Sequence, residues 1–490
     1  MELTLAVNTS NDARGPGRLQ IRADDRSLTP YAGLAITGEL VRGLGLVELI
    51  DGELGTVRRV APVKARARGL SAGELAVSIA ECQLTGAECF DDIEDVRADS
   101  AGAPLRAVSA TPSAPTARQL AQRFRRSHIQ AIERAVARAG ERLDRDLGRD
   151  LSEAVTIDLD ATETEVYGHR KQGARRSHTG ALAYNSYVAT WAQRGRALTS
   201  ELRGGNESRI SARESAEIVA RARRLLPAEH GQVTVRGDSG FYSAELMNRL
   251  RKQAARFTFS APRTSTMWRA LGQIAENAWA DATQMRGAQV AEIAFTAQGW
   301  EHEPLRLIVR RVPVSAAEIR AGSPKARRRS TIPADQLQMV LDGKLASTFA
   351  YSFIVTDIPA AEKTSTEVEH YHRQRAQIEE RFKDAKLGQA LRHLPSGDAN
   401  ANRLWLTCAL IALNITALLC DISPAAAASG NAPDTTPLRR HAKTLRRLMI
   451  CVPARIVRTA RQIIVRLPDG FRHADIFRDT YHAAYALPGP

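Results

Sequence analysis

Three acidic residues in this 490-residue sequence stand where carboxylates could do chemistry. Asp160 closes the alternating run "AVTIDLDA", Asp238 closes "QVTVRGDS", and Glu379 lies in the helical pattern "RAQIEERFKDAK". An acid at a strand end projects out of the core, and a glutamate on a crossing helix can join two such acids. Three carboxylates suit Mg²⁺, a hard cation that prefers oxygen ligands, and Mn²⁺ could replace it. We therefore predict that these residues bind metal and catalyse two-metal phosphoryl transfer.

Basic residues share the helix face of the predicted third acid. Arg375, Glu379 and Lys386 fall at i, i+4 and i+11, which places them on one stripe of a helix. Such a stripe could set an acid beside a metal while the cations contact DNA phosphates. Taken alone, however, the helix favours an ordinary Arg–Glu pair on a solvated surface.

The elements that must position these acids follow from hydrophobic periodicity. Between residues 151 and 261 the patterns run strands, helix, strand, helix, strand, which predicts an α/β core. The following strand-like runs surround a basic segment that contains Arg327, Arg328 and Arg329, so we predict a β insertion with a DNA-facing loop. A long helix should then start at Thr366, which is paired with Glu369.

We predict five segments along the chain. They are a helical DNA-binding region (1–150), the first part of the catalytic core (151–261), a mainly β insertion (262–360), the catalytic helix with the rest of the core (361–425), and a basic C-terminal segment (426–490).

Two helix starts are predicted in the first segment, at the capping box of Ser71 and Glu74 and at Thr116. The second helix is rich in arginine, so it could end a helix-turn-helix-like DNA reader or simply be a solvated basic helix. The apolar run "LWLTCALIALNITALLC" is shorter than about 20 residues, so we predict a buried helix rather than a membrane span.

Composition favours a polyanionic partner. Lys and Arg number 69 against 54 Asp and Glu, a formal net charge of +15, and basic side chains gain affinity for nucleic acid by releasing counterions. The five cysteines show no Cys-x2-Cys spacing, which argues against a structural zinc or a disulfide framework. No secretory signal and no Gly-rich phosphate fingerprint are found, so we expect a cytoplasmic protein and no small-molecule cofactor.

The motifs resemble those of bacterial insertion-sequence transposases. Arg375-x3-Glu379-x6-Lys386 looks like part of the Tyr-x2-Arg-x3-Glu-x6-Lys signature of one large group of these enzymes. "DLDAT" and "RGDSGFY" look like that group's motifs around its first and second aspartates. "TPSAPTARQLAQRF" and "LRHLPSGDANANRLW" resemble stretches of the thirteen-eighty family within the group. The resemblance covers about residues 20 to 475.

This resemblance implies an RNase H-like, retroviral-integrase-like core interrupted by a β-rich insertion. It implies a DNA transposase that binds terminal inverted repeats, cuts one strand at each element end and uses the freed 3′-hydroxyl as nucleophile. Cut-and-paste relatives form a hairpin at the element end and usually act as homodimers on paired ends. A bacterial enzyme of this kind would associate with the nucleoid when bound to DNA.

Several site residues are carried over from the resemblance. Arg375 and Lys386 keep their signature places and are expected to contact DNA phosphates. The signature tyrosine falls at His372, which could substitute for it, because Tyr371 lies one residue away. Trp268 is expected to hold a flipped base by stacking.

Alternatives remain open for some residues. Asp158 competes with Asp160 for the first acid, because both point to the same side of a strand. Trp279 competes with Trp268, and each could instead be a core residue. A catalytically inactive DNA-binding relative and an RNase H-like nuclease without strand transfer are the rival functions.

Overall fold

The computed structural model describes residues 22–489 apart from 65, 67, 169, 178–179, 207–210, 322–328, 376–392 and 424–441. The predicted site residues Glu379, Lys386, Arg327 and Arg328 lie outside the described residues.

The strands of the described chain are β1 Leu28–Thr29, β2 Val155–Glu165, β3 Arg175–Arg176, β4 Leu182–Trp191, β5 Arg196–Gly204, β6 Val233–Gly237, β7 Arg256–Ala261, β8 Ala280–Asp281, β9 Gln289–Phe295, β10 Leu305–Ser315, β11 Ser347–Thr356, β12 Ala454–Arg458 and β13 Ile463–Arg466. The α-helices are α1 Leu34–Gly43, α2 Leu46–Gly55, α3 Ala72–Thr85, α4 Ile93–Ala98, α5 Ala114–Ala121, α6 Arg126–Asp146, α7 Ala212–Arg223, α8 Ala244–Lys252, α9 Ser265–Leu271, α10 Ala316–Arg320, α11 Ala334–Leu341, α12 Ser365–Arg373, α13 Ala399–Ile422, α14 Ala442–Leu445 and α15 Ala474–Tyr485.

One large sheet organises the middle of the chain. Its strand order is β3-β4-β2-β6-β7-β11-β10-β9-β8, and β5 also pairs with β4. The strands β2, β6 and β7 run parallel, whereas the other neighbours are antiparallel. The mixed α/β architecture predicted from periodicity is therefore present.

The two faces of the central strands differ in chemistry because side chains alternate along a strand. On β2, Val155, Ile157 and Leu159 face an apolar core that includes side chains of α7 and α8. The alternate residues Thr156 and Asp158 are also buried, but they face polar partners. Burial of apolar area on the first face drives the helices onto the sheet, and the second face is left for a polar site.

The β insertion continues the same sheet rather than forming a separate layer. β11 pairs with β7 antiparallel, with Thr356 opposite Thr258, and β10 and β9 follow in order. The strands predicted for this region are thus present and are hydrogen-bonded to the core.

The N-terminal helices and the C-terminal segment share one core. α13 packs against α3 and α6, and the Gln83 side chain donates to the carbonyl oxygen of Trp405 at 3.2 Å. β1 pairs with β12, and α1 contacts α15. The first and last predicted segments therefore contribute to one core, and the division of the chain into five segments stays a prediction.

The helix α13 has the length and mean hydropathy (1.9) of a membrane-crossing helix, but 83% of its most apolar window is buried inside the protein. Trp405 is fully buried and contacts Phe90 with ring centroids 4.9 Å apart. This burial supports the prediction of a core helix.

Three local predictions need correction. The helix predicted from Thr116 starts earlier, at Ala114, because proline at position 115 suits the first turn. Ser113 is its N-cap residue, without a capping hydrogen bond from its side chain. The helix predicted from Thr366 is capped by Thr364 through a capping box with Glu367. The strand predicted to end at Asp160 continues through Glu165, so Asp160 lies within β2. By contrast, the capping box of Ser71 and Glu74 at the start of α3 is confirmed.

Candidate active site

The first two predicted acids lie at the same level of neighbouring parallel strands. β2 and β6 pair from Val155 opposite Val233 to Asp158 opposite Arg236. The same offset, continued by two residues, places Asp160 opposite Asp238, which directly follows β6. Because neighbouring strands are about 4.8 Å apart and side chains two residues apart share a face, both carboxylates belong to one edge of the polar face.

Asp158 is separated from its competitor Asp160 by its contacts. Its side chain is fully buried, and Arg236 binds both its oxygens, with Nε–Oδ1 and Nη2–Oδ2 distances of 2.6 Å. A carboxylate held in this bidentate way is a structural ion-pair partner. The geometry therefore favours Asp160 as the first acid.

Asp160 faces a different cation at longer range. The Nη1 of Arg375 lies 3.9 Å from its Oδ1, and both side chains are largely buried. Asp238 is half-buried, and its Oδ1 accepts from the Gly240 amide at 2.8 Å, which holds the turn after β6. The structure thus places Arg375 beside Asp160, and the continued strand register puts Asp238 level with Asp160. Among the residues it describes, no cluster of three or more His, Cys, Asp or Glu side chains gathers.

Helix α12 is fixed across the polar face of the sheet by Tyr371. The tyrosine hydroxyl lies 2.6 Å from Oγ1 of Thr156, and Thr234 also hydrogen-bonds it. Arg236 donates to the Tyr371 carbonyl oxygen, and its guanidinium lies 4.8 Å from the centre of the tyrosine ring. Burial raises the pKa of Tyr371. One arginine therefore links β2, β6 and the helix that leads towards Glu379.

His372 is buried between α12 and β7. Its ring nitrogens lie 2.8 Å from Oγ1 of Thr258 and 2.9 Å from Oγ of Ser260. Burial, helped by the charges of Arg375 and nearby arginines, lowers the pKa of His372 to about 3. The ring is therefore neutral at physiological pH with both nitrogens engaged, and this geometry does not support the predicted phosphate contact.

The sequence matches the family described as transposase DDE domain group 1 over residues 13–320 and 342–488, nearly the whole chain. This chain belongs to that family. It is therefore a DDE transposase, an enzyme of DNA transposition. No curated protein matches it. A solved structure that it resembles is the piggyBac transposase synaptic complex with hairpin DNA, at 8% identity and a TM-score of 0.41, covering 84% of this chain and 79% of that chain.

Trp268 of the transposase packs among other aromatic rings. Its ring is nearly perpendicular to those of Phe353 and Tyr351, with centroids 5.2 and 6.1 Å away. Its rival Trp279 lies under the guanidinium of Arg311, which is 4.2 Å from the ring centre. Both tryptophans thus have packing partners, and the role of Trp268 in holding a base stays a prediction.

Arg329 is the one member of the predicted basic loop that the structure describes. Its Nη2 donates to the Ile319 carbonyl oxygen at 3.0 Å. This contact ties the end of the loop to α10. A DNA contact by Arg329 remains a prediction.

Sequence reasoning missed the roles of Arg236 and Tyr371 in the transposase. A signal was present, because polar residues occupy every second position of two otherwise apolar strands. They are Thr156, Asp158 and Asp160 on β2, and Thr234, Arg236 and Asp238 from β6 onwards. Two such runs in one sheet indicate a polar face that needs a polar partner.

Proposed function

We propose that this transposase binds the terminal inverted repeats of an insertion sequence of the thirteen-eighty type, cuts DNA there and joins the freed 3′ end to target DNA by a cut-and-paste route. The observation that carries the proposal is the placement of Asp160 beside Asp238 at the edge of a polar sheet face, with Asp158 withdrawn into an ion pair. DNA at the element ends, target DNA and a second copy of the chain are the proposed partners.

The strand order β5-β4-β2-β6-β7 supports an RNase H-like core. Strands β2, β4 and β5 form an antiparallel meander, and β6 and β7 extend the sheet in parallel on the other side of β2. The first acid lies on β2 and the second directly after β6. Glu379 would add the third from the segment that follows α12.

The donor set fits a divalent cation. Asp160 and Asp238 offer carboxylate oxygens from one face, and Mg²⁺ and Mn²⁺ prefer such ligands. We propose that these two residues and Glu379 hold the metal, which would supply charge neutralisation at the reacting phosphate. Arg375, which lies just beyond the end of α12 and beside Asp160, would hold a DNA phosphate against this edge. Lys386 is proposed to contact DNA as well. The buried pair of Asp158 and Arg236 would keep the two acid-bearing strands in register.

A cleavage assay tests the proposal. The substrate is a DNA fragment that carries both flanks of the chain's own gene, incubated with Mg²⁺ or with EDTA. We expect metal-dependent cuts at the element boundary, lost by at least about 100-fold in Asp160→Asn, Asp238→Asn and Glu379→Gln, because several kcal/mol of charge stabilisation disappears. The control is Asp281→Asn, an exposed aspartate on the short edge strand β8.

The outcomes separate the rival functions. Binding of the ends without any cut would favour an inactive DNA-binding relative. Cuts without joined products would favour a nuclease. A Glu379→Gln variant that cuts like wild type would show that the third acid is assigned wrongly.

A further inference from the structure

Tyr167 is an unusually exposed aromatic side chain on the loop that links β2 to β3. Its exposed fraction of 78% is the largest among the large hydrophobic side chains that the structure describes. A buried tyrosine removes roughly 150 Å² or more of surface from water, which stabilises a fold. The exposed Tyr167 ring contributes little of this stabilisation. Since single exposed apolar residues are common, its surroundings must decide whether it has a ligand.

The loop is anchored on both sides of Tyr167. Before it, the amide of Val166 donates to the Leu182 carbonyl oxygen at 2.8 Å, and the Val166 side chain is buried. After it, the amide of Gln172 donates to the carbonyl oxygen of Gly397 at 2.9 Å. Tyr167 is therefore held out from a fixed base, which lowers the entropy lost when a ligand packs on it.

Arginines lie on and beside this loop. Arg170 and Arg175 are exposed, and Arg175 lines a cleft of about 310 Å³ together with Arg403. Two glutamates also line this cleft, Glu201 and Glu214, and each is paired with another arginine. Arg175 donates to a backbone carbonyl, and Arg403 donates to the side chain of Asn400. Within the described part of the chain, these three arginines have no carboxylate partner. Their charge is thus available to a polyanion.

We propose that Tyr167, Arg170, Arg175 and Arg403, here called the Tyr167 surface, form a second DNA contact that holds an unpaired base. Tyr167 stacks on the base, and the arginines contact the neighbouring phosphates. Stacking on an aromatic face beside basic side chains is a general way to bind single-stranded DNA. The inference rests on the proposed function and adds a binding site to it.

The position of the surface sets where this base lies. Tyr167 comes seven residues after Asp160 and two residues after the end of β2. At about 3.3 Å per residue of extended chain, the two residues are about 23 Å apart. At about 3.4 Å per nucleotide, this corresponds to about seven nucleotides from the phosphate that reacts.

The test uses the full chain in EDTA, so that no cleavage occurs. Binding to a fluorescent oligothymidine of about 15 nucleotides, a length within the usual site sizes, is compared with binding to a closed duplex by anisotropy. Tyr167→Ala should weaken oligothymidine binding about 5-fold or more, and Tyr167→Phe should stay within about 2-fold of wild type because the ring remains. The control is Tyr485→Ala, a tyrosine of α15 with 67% exposure, which should leave binding unchanged.

Three results would overturn the proposal. Tyr167→Ala could bind oligothymidine as tightly as wild type does, or Tyr485→Ala could lose as much oligothymidine affinity as Tyr167→Ala. The third is that Tyr167→Ala loses as much affinity for the closed duplex as for oligothymidine. Wild type that binds duplex but not oligothymidine would also overturn it. If wild type cuts element ends in the cleavage assay while Tyr167→Ala shows no binding defect, only this inference fails. If wild type binds no DNA of either kind, the proposed function fails with it.

Discussion

Asp158 and Asp160 lie two residues apart on one strand face but have different environments. Asp158 is fully buried in a bidentate pair with Arg236, whereas Asp160 lies at the edge near Arg375. Removing one partner of a buried pair leaves the other charge without compensation, which is usually more costly than losing the pair as a whole.

We therefore expect Asp158→Asn to lower the free energy of unfolding by about 3–5 kcal/mol. Asp160→Asn, on the same face, should change it by less than about 1 kcal/mol. Urea unfolding measures both. In the double variant Asp158→Leu/Arg236→Met, part of the loss should be recovered, since neither charge is left alone. Equal losses in Asp158→Asn and Asp160→Asn would contradict the distinction drawn between the two acids.

The buried ring of His372 makes a pH prediction. Its pKa is about 3 in the folded chain against about 6.5 when unfolded, so below pH 6.5 the unfolded state binds the proton and the folded state does not. The contribution of His372 to the free energy of unfolding is thus fully present above pH 6.5 and falls progressively as the pH is lowered towards 3. Between pH 7 and pH 5 the loss is about 2 kcal/mol.

Unfolding at pH 7 and pH 5 measures this difference. His372→Gln should lose less stability on acidification than wild type by that amount, and the exposed His302→Gln should follow wild type. An unchanged pH slope in His372→Gln would mean that the ring is protonated in the folded chain.

At the residue level, the sequence was sufficient to select Asp160 and Asp238 as acids on neighbouring strands, although Asp160 lies within β2 rather than at its end. It left Asp158 open, because the arginine that neutralises it comes from a strand 78 residues later. The surroundings of His372 were not predictable from the sequence for a similar reason. Its hydroxyl partners lie on β7, and nothing next to the histidine in the chain indicates their contact.

Helix α12 shows how the elements position the site. Thr364 accepts from the Glu367 amide and Glu367 accepts from the Thr364 amide, so the box closes two residues before the predicted one. Glu369, which we expected in the box, is buried and paired with Arg310 at 2.6 Å. Two overlapping Thr-x-x-Glu patterns were equivalent in sequence, and only the partner on β10 distinguishes them.

Thr364→Ala is expected to lower the free energy of unfolding by about 1 kcal/mol, because an N-cap hydrogen bond is lost. Thr366→Ala, one position inside the helix, should cost less than about 0.5 kcal/mol. Thermal or urea unfolding of the two variants provides the comparison. A larger loss in Thr366→Ala would restore the cap predicted from the sequence.

Over the whole molecule, the packing joins distant parts of the sequence. The N-terminal helices bury their apolar faces against α13 and the C-terminal segment, with Leu75, Ile79 and Trp405 fully buried in one core. Periodicity reports which residues are apolar but not which distant helix covers them. The boundaries predicted at residues 150 and 425 therefore stay predictions, whereas the strand and helix types were largely right.

A fragment of residues 22–150 should accordingly fail to fold alone. We expect poor dispersion of its amide resonances and no cooperative thermal transition, because its apolar faces lack the partners that remove them from water. The full chain, measured beside it, should melt cooperatively. A well-dispersed spectrum from the fragment would show that the N-terminal region is an independent domain.

The shared offset of β2 and β6 has a consequence for how relatives of this enzyme can be found. The ladder between their strands ends two residues before the aspartates, and its register sets them level with each other whatever the length of chain that connects the strands. Insertions or deletions in the connecting loops would change their spacing and leave the carboxylates side by side, whereas a single residue added within either strand would turn one acid to the apolar face. A fixed gap is therefore a poor fingerprint. A better search pattern is the alternation polar-x-charged-x-aspartate, present in each of two strands that are neighbours in the sheet.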